Sequence, residues 1–396
     1  MSATERDHEA ALEVLELCRK LDVPIEDMTA ARFREHGGSV SNGRWGLVKR
    51  LAAGEDTRQG SIPRGQTLNG QSEYIRTETG GVWIKSGPED RKLAAFERMV
   101  EAVKDLTPLA PTKAPDLPAD AAGYLNAFVC GGMHMGLYCS ARVSEEQWGR
   151  ADALAMGQAA IDYLVDRMDP AEQAVFVDTG DWLHAASAAS TTVKGTHVDT
   201  DGLFVEALVD GYRLKEYMIR SILRRHDFVH VRSSKGNHGG SSELGIDLAI
   251  AARFYDDPRV CLGVSREQMI DSRYLSMLEF GKVLLVFAHG DHAKVQELLG
   301  MVSDRYPEVW GRTRYRWAVG GHLHHYATGP VHGGEWETYP VLAPADAWHS
   351  AHRWSSKREM HAVRYHRDQG RTDRVQVSAA QLRAIMDAHQ PVAEAA

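Results

Sequence analysis

Apolar positions along the chain recur in two different periods, and the change falls near residue 110. Between residues 7 and 21 the apolar side chains Leu12, Leu15 and Cys18 sit at helical spacing. Two more short helices are predicted at Asp27–His36 and Gly43–Ala53. The stretch 72–86, SEYIRTETGGVWIKS, reads as two short strands around a glycine turn. Residues 107–120, TPLAPTKAPDLPAD, carry Pro108, Pro111, Pro115 and Pro118 and form a stiff, helix-hostile linker. Beyond it strands and helices alternate. Apolar runs at 126–134, 173–181, 228–238, 282–292 and 316–325 predict strands, and segments at 145–168, 200–225, Leu244–Phe254 and 293–305 predict helices. The chain from 341 to 377 is expected to be β-rich. Buried strands alternating with helices define an α/β layered domain. The expected organisation is therefore a small α+β module over 1–106, the linker over 107–120 and the main domain over 121–396. Three helices and a hairpin are also the pattern of a winged-helix module.

Composition narrows this picture without directing it. The chain of 396 residues is 43% hydrophobic and 25% charged, so a sizeable core can form, which argues against bulk disorder. Its net charge of −8 means that any nucleic-acid contact must use a local patch. One such patch is available. Residues 31–64 hold seven basic side chains (Arg32, Arg34, Arg44, Lys49, Arg50, Arg58, Arg64) against three acids (Glu35, Glu55, Asp56), a net of +4. The same charges also suit a solvated helical face. Cys18, Cys130, Cys139 and Cys261 form no CxxC pair, which argues against a zinc knuckle or a thioredoxin-like site. The start, MSATERDHEAALEV, lacks the apolar core of a signal peptide, and no run is long enough to span a bilayer. A cytoplasmic location with no membrane partner is the expectation, and a homo-oligomer is compatible with it.

The chemistry gathers at the ends of the predicted strands. His134, Asp181, the pair Asn237–His238, His289, and His322 with His324 each follow an apolar run. Ligands in α/β sheets collect just beyond strand carboxyl ends. In GHLHH (321–325), an extended segment would turn His322 and His324 to the same side. Each piece alone is a weak signal, and their number and placement make the case. Mixed imidazole, carboxylate and amide-oxygen donors suit Mn²⁺, Fe²⁺ or Zn²⁺, with Mg²⁺ also admissible. Two such ions about 3.5–4 Å apart clamp the attacking and departing oxygens of an in-line displacement and activate hydroxide at neutral pH.

The series GD (180–181), GNH (236–238), His289 and GHxH (321–324) resembles the motif set of calcineurin-like metallophosphoesterases over roughly residues 125–345. The longer context, GDWLHA, FAHGD and GHLHH through to APADAWH, looks like phage-encoded members related to double-strand-break repair nucleases. The resemblance implies two β-sheets packed face to face between helical layers. It implies that Asp181 bridges two metals, that Asn237, His289 and His322 complete one site, and that His134 and His324 serve the other. His238 would be the catalytic histidine at the leaving oxygen, and His184 a substrate-side histidine. The implied activity is a metal-dependent phosphodiester hydrolase acting on DNA, with Mn²⁺ the favoured metal. Two rivals stand beside it: a phosphoesterase for small nucleotides or phosphoproteins, and a degenerate nucleic-acid-binding or assembly protein on the same scaffold.

Two positions depart from that pattern. Gly132 stands where an Asp-x-His motif would place a carboxylate, and Gly239 stands where an acid usually follows GNH. Strand alternation would put Cys130, Gly132 and His134 on one face. An aspartate at position 132 is then expected to restore a full first metal site.

Overall fold

A computed structural model describes residues 5–53, 71–77, 80–86, 107–144, 146–262, 275–346, 350 and 356–389. The end of the basic stretch (54–64) and the last part of APADAWH (347–349) lie outside these residues. The chain divides into two compact units, Met1–Lys92 and Leu93–Ala396.

In the smaller unit, α1 (Glu5–Leu21), α2 (Ala30–Glu35) and α3 (Asn42–Ala52) precede a hairpin of β1 (Gln71–Thr77) and β2 (Gly80–Ser86). Helix α2 is shorter than the sequence suggests. Residues Ile25–Asp27 form a separate 3₁₀ turn, and the Thr29 side chain caps α2 by accepting from Arg32 N. The three helices enclose Ala10, Val14, Cys18, Met28, Phe33, Val48 and Ala52. Arg44 pairs with Asp7, and Lys49 Nζ donates to the Glu26 carbonyl, so two of the basic side chains serve the packing of this unit.

The larger unit is built on two sheets. Its elements in chain order are β3 (Tyr124–Cys130), α4 (Arg150–Arg167), β4 (Ala171–Asp178), α5 (Phe204–Leu223), β5 (His226–Ser233), α6 (Ser242–Arg253), β6 (Val260–Cys261), β7 (Ser276–Phe280), β8 (Val283–Phe287), α7 (Leu298–Arg305), α8 (Pro307–Arg312), β9 (Tyr315–Gly320), β10 (Ala327–Val331), β11 (Gly334–Thr338), β12 (Glu359–His366), β13 (Gly370–Ser378) and α9 (Ala379–His389). One sheet has the order β13-β12-β3-β4-β5-β6 and the other β10-β11-β9-β8-β7. Strands β3 to β6 run parallel, as do β8, β9 and β11, and the outer strands β13, β10 and β7 pair antiparallel with their neighbours.

Period-2 alternation explains the layering. Leu125, Ala127, Val129, Val175 and Val177 point between the sheets and meet Val283, Leu285, Phe287, Trp317 and Val319 from the other one. The alternate residues Phe128, Ala174 and Phe176 turn outward onto α4, α5 and α6. Leu284, Val286 and Ala318 turn outward onto α7 through Leu298, Leu299 and Val302. Each such fully buried Leu, Val or Phe contributes roughly 1.5–3 kcal/mol, so strands that are apolar on both faces gain from being covered on both. The α/β fold of two face-to-face sheets between helical layers is the expected one. Residues 107–113 lie along this unit: Leu109 N donates to Arg253 O, Thr112 to Asp257 and Arg259 to Thr112.

The strands end earlier than their apolar runs suggest, and this matters for the site. Strand β3 stops at Cys130 and β9 at Gly320, so His134, His322 and His324 lie beyond the pleat. The alternation assigned to Cys130, Gly132 and His134, and to His322 and His324, does not exist there. Left-handed turns aim these histidines instead.

Candidate metal centre

Six non-glycine residues among those described have positive φ, and four are His134 (45°), Asp181 (57°), His322 (65°) and His324 (54°). An L-residue in this region costs about 1–2 kcal/mol. Four such costs at neighbouring strand ends persist because the surroundings over-determine them, which is a mark of a functional site. Each backbone reversal brings a donor side chain back over the sheet edge.

The loops lock one another. His134 N donates to Asp181 O at 3.0 Å and Met135 N to Trp182 O at 2.8 Å, which ties the loop after β3 to the loop after β4. Asp178, at the end of β4, accepts from Gly180 N at 2.9 Å. Asp181 Oδ1 accepts from His238 N at 2.8 Å, which joins the third loop. The approach is so close at Gly236 that a Cβ there would lie 2.1 Å from Asp181 Oδ1, so the glycine of the GNH motif is required by packing.

Donor atoms converge in three overlapping groups, each within 4.8 Å: Asp181, His289 and His322; His134, Asp181 and His324; and His134, His184 and His238. In the first, His289 Nδ1 donates to Thr179 O at 2.8 Å, which leaves Nε2 facing Asn237 Oδ1 at 3.0 Å and Asp181 Oδ2 at 3.1 Å. In the second, His134 Nε2 and His324 Nε2 face each other at 3.1 Å. Asp181 belongs to both. All six residues expected as ligands, Asn237 included, are therefore brought together. His238 sits beside them with Nδ1 donating to the His184 carbonyl at 2.9 Å. His184, expected only on the substrate side, is buried, with its Nδ1 3.3 Å from His134 Nδ1.

The electrostatics fit a cation. Burial alone would raise the Asp181 carboxyl, but His289 outweighs it and holds the group well below its ordinary value. Burial opposes charge on His289, yet Asp181 pushes its pKa up to about 9. Burial, then His324 and His238, hold His134 well below the usual imidazole range, and burial with His238 lowers His184 to about 3. Burial also lowers His322. The lowered values keep His134, His184 and His322 neutral, the ligating form, whereas a cation between His289 and Asp181 would take the place of the proton that Asp181 holds on His289. Asp181 Oδ2 is buried and accepts no well-aligned hydrogen bond despite the nearby His289. A buried carboxylate oxygen left so, inside a ring of imidazole nitrogens and an amide oxygen, matches the donor set of a borderline divalent ion. These histidine and aspartate groups could hold divalent metal ions. Cys130 belongs to none of these donor groups, and burial pushes its thiol up to about 12.

Gly132 corrects an expectation. Its φ is +129°, a conformation that L side chains rarely adopt, and a Cβ would lie 3.2 Å from Gly180 O. Restoring a carboxylate there is therefore not a simple repair. Gly132→Asp is expected to destabilise the protein by about 1–3 kcal/mol in denaturant unfolding, without raising metal stoichiometry. An increase in bound metal at unchanged stability would contradict this.

Three supporting side chains, Lys215, Asp178 and Glu243, escaped the sequence reading. Lys215 and Asp178 are fully buried and paired at 2.7 Å, with Asp247 3.0 Å from the same ammonium. The Lys215 Nζ also lies 4.6 Å from the Trp182 ring centroid, so it braces both sides of Asp181. The signal available was an acid, Asp178, directly after the apolar run 174–177, since a buried carboxylate needs a partner.

No family model matches the chain. No curated protein matches it either. Among solved structures the chain is similar to a conserved uncharacterized protein, a predicted phosphoesterase, from Streptococcus pneumoniae TIGR4. The identity is 9%, the match covers 64% of this chain and 98% of that chain, and the TM-score is 0.26. So loose a likeness says nothing about the chemistry of this chain. No helix among the described residues is long and apolar enough to cross a membrane.

Proposed function

We propose that this protein is a divalent-metal-dependent phosphodiester hydrolase with DNA as its substrate. The observation that carries the hydrolase reading is the pair of donor groups sharing Asp181, one with His289 and His322 and the other with His134 and His324. Asn237 Oδ1 joins the first of them through its position 3.0 Å from His289 Nε2. Divalent ions held there supply Lewis acidity and lower the pKa of water. The chain's own contribution is placement. Asp181 serves both groups, and His238, with Nδ1 engaged by the His184 carbonyl, offers Nε2 to the leaving oxygen.

DNA as substrate rests on the motif resemblance to repair nucleases and on the net +4 of residues 31–64. Mn²⁺ is the metal proposed, because the donor set mixes imidazoles with oxygen ligands. The carboxylate missing at Gly132 favours a second reading, a protein that binds nucleic acid without turnover. Linear DNA and a chromogenic phosphodiester, each incubated with Mn²⁺ and the full chain, separate the readings. Degradation of DNA, with binding that weakens steeply as salt rises, supports the nuclease. Hydrolysis of the small diester alone points to a small-molecule phosphoesterase, and full metal loading with no turnover of either substrate favours the binding protein.

His238→Ala is expected to lower kcat by about 10²-fold while leaving bound metal unchanged, the usual scale for a general acid. Loss of metal in that variant would make His238 a ligand instead.

A further inference from the structure

We propose that Glu243 is the positioning residue that clamps the two metal-bearing loops together, and that Gly239 is a glycine so that this carboxylate can enter. The inference rests on the metal-centre reading above. Glu243 lies in the first turn of α6 and is fully buried. A buried carboxylate costs several kcal/mol unless it is hydrogen-bonded, so its partners indicate what it is for. Oε1 accepts from Leu183 N at 3.1 Å, and Oε2 makes a longer contact of 3.5 Å with Gly236 N. Leu183 follows Asp181 by two residues, and Gly236 directly precedes Asn237. One carboxylate therefore spans the loop that carries the shared aspartate and the loop that carries the amide ligand and His238. Asp181 Oδ1, which accepts from His238 N at 2.8 Å, closes the same ring from the other side.

Position 239 shows why the carboxylate comes from the helix. A Cβ on Gly239 would lie 2.5 Å from Glu243 Oε1 and 2.7 Å from its Cγ. A side chain at 239 and the carboxylate of Glu243 exclude each other. The acid that sequence reasoning found missing directly after GNH is thus replaced in space by one four residues later. That acid reaches backbone amides on both loops. Side chains that support metal ligands in this way typically set metal affinity by 10–100-fold.

The test uses full-length, metal-stripped protein titrated with Mn²⁺ by calorimetry, with the electron paramagnetic resonance spectrum of the bound ion recorded in parallel. Glu243→Gln keeps the size but turns one acceptor into a donor that faces a donating N–H. Gly239→Ala leaves Glu243 in place and pushes its carboxylate aside, so it provides an answer even where the first variant fails to fold. Both variants are expected to weaken Mn²⁺ binding by about 10–100-fold and to change the spectrum of the bound ion, with thermal midpoint and helical signal retained in at least the alanine variant. A brace that served stability alone would lower the midpoint and leave the spectrum unchanged. Wild-type affinity and spectrum in Gly239→Ala overturn the proposal while the metal centre stands. A wild-type protein that takes up no Mn²⁺ overturns the metal centre and this inference with it.

Discussion

Replacing Asp181 by Asn should abolish phosphodiester hydrolysis and empty both metal positions together. Asp181 is the one carboxylate in the donor groups, and it belongs to the His289–His322 group and to the His134–His324 group alike. The asparagine can still accept the His238 N–H through its carbonyl, as Oδ1 does now at 2.8 Å, so the loops need not move. What disappears is the negative charge that would balance two dications held there. Several kcal/mol of transition-state stabilisation are at stake, which corresponds to a fall in kcat/KM of about 10³-fold or more. The check is turnover of a chromogenic phosphodiester together with metal content. Near-normal turnover with metal retained would show that Asp181 bridges nothing.

The largest effect on stability is expected at Lys215. Its ammonium is fully buried against Asp178 and Asp247. Burial alone would strip its proton, but the two carboxylates hold its pKa above the ordinary lysine value. Lys215→Met keeps the length of the side chain and leaves Asp178, itself fully buried, without its cation. Breaking a buried pair from one side costs about 3–5 kcal/mol, far more than deleting a surface ion pair. Denaturant unfolding measures this. Pairing the change with Asp178→Asn should recover part of the loss, because the uncompensated charge is then gone. A Lys215→Met protein as stable as the wild type would mean that the network is incidental.

Much of the site was legible because its signals are short and local. A donor residue follows each apolar run, and glycines precede Asp181, Asn237 and His322 where chains crowd at a sheet edge. The two-sheet architecture was readable because the strands are apolar on both faces. The point where each strand stops was not readable. Period-2 patterning continues through Gly132 and into GHLHH, whereas the backbone turns to positive φ at His134, His322 and His324. Nothing in a one-dimensional pattern marks that reversal, so the aiming of the histidines and the fate of an aspartate at 132 were misjudged. Strands β10 and β11 were missed because their sequences, ATGPV and GEWET, lack a clear apolar alternation. Lys215 and Glu243 stayed hidden for another reason. Charged residues on amphipathic helices are ordinarily solvated, and only the packed structure shows these two buried against the loops of the site.

The proposal stands most directly on one measurement: Mn²⁺ added stepwise to metal-stripped protein, with binding heat and hydrolysis of a chromogenic phosphodiester followed in the same series. The account predicts a tight site, assigned to Asp181, Asn237, His289 and His322, and a weaker one, assigned to His134, Asp181 and His324 because Gly132 supplies it no carboxylate, with turnover rising as the weaker site fills. No binding at all, or saturation of both sites without turnover, would contradict it.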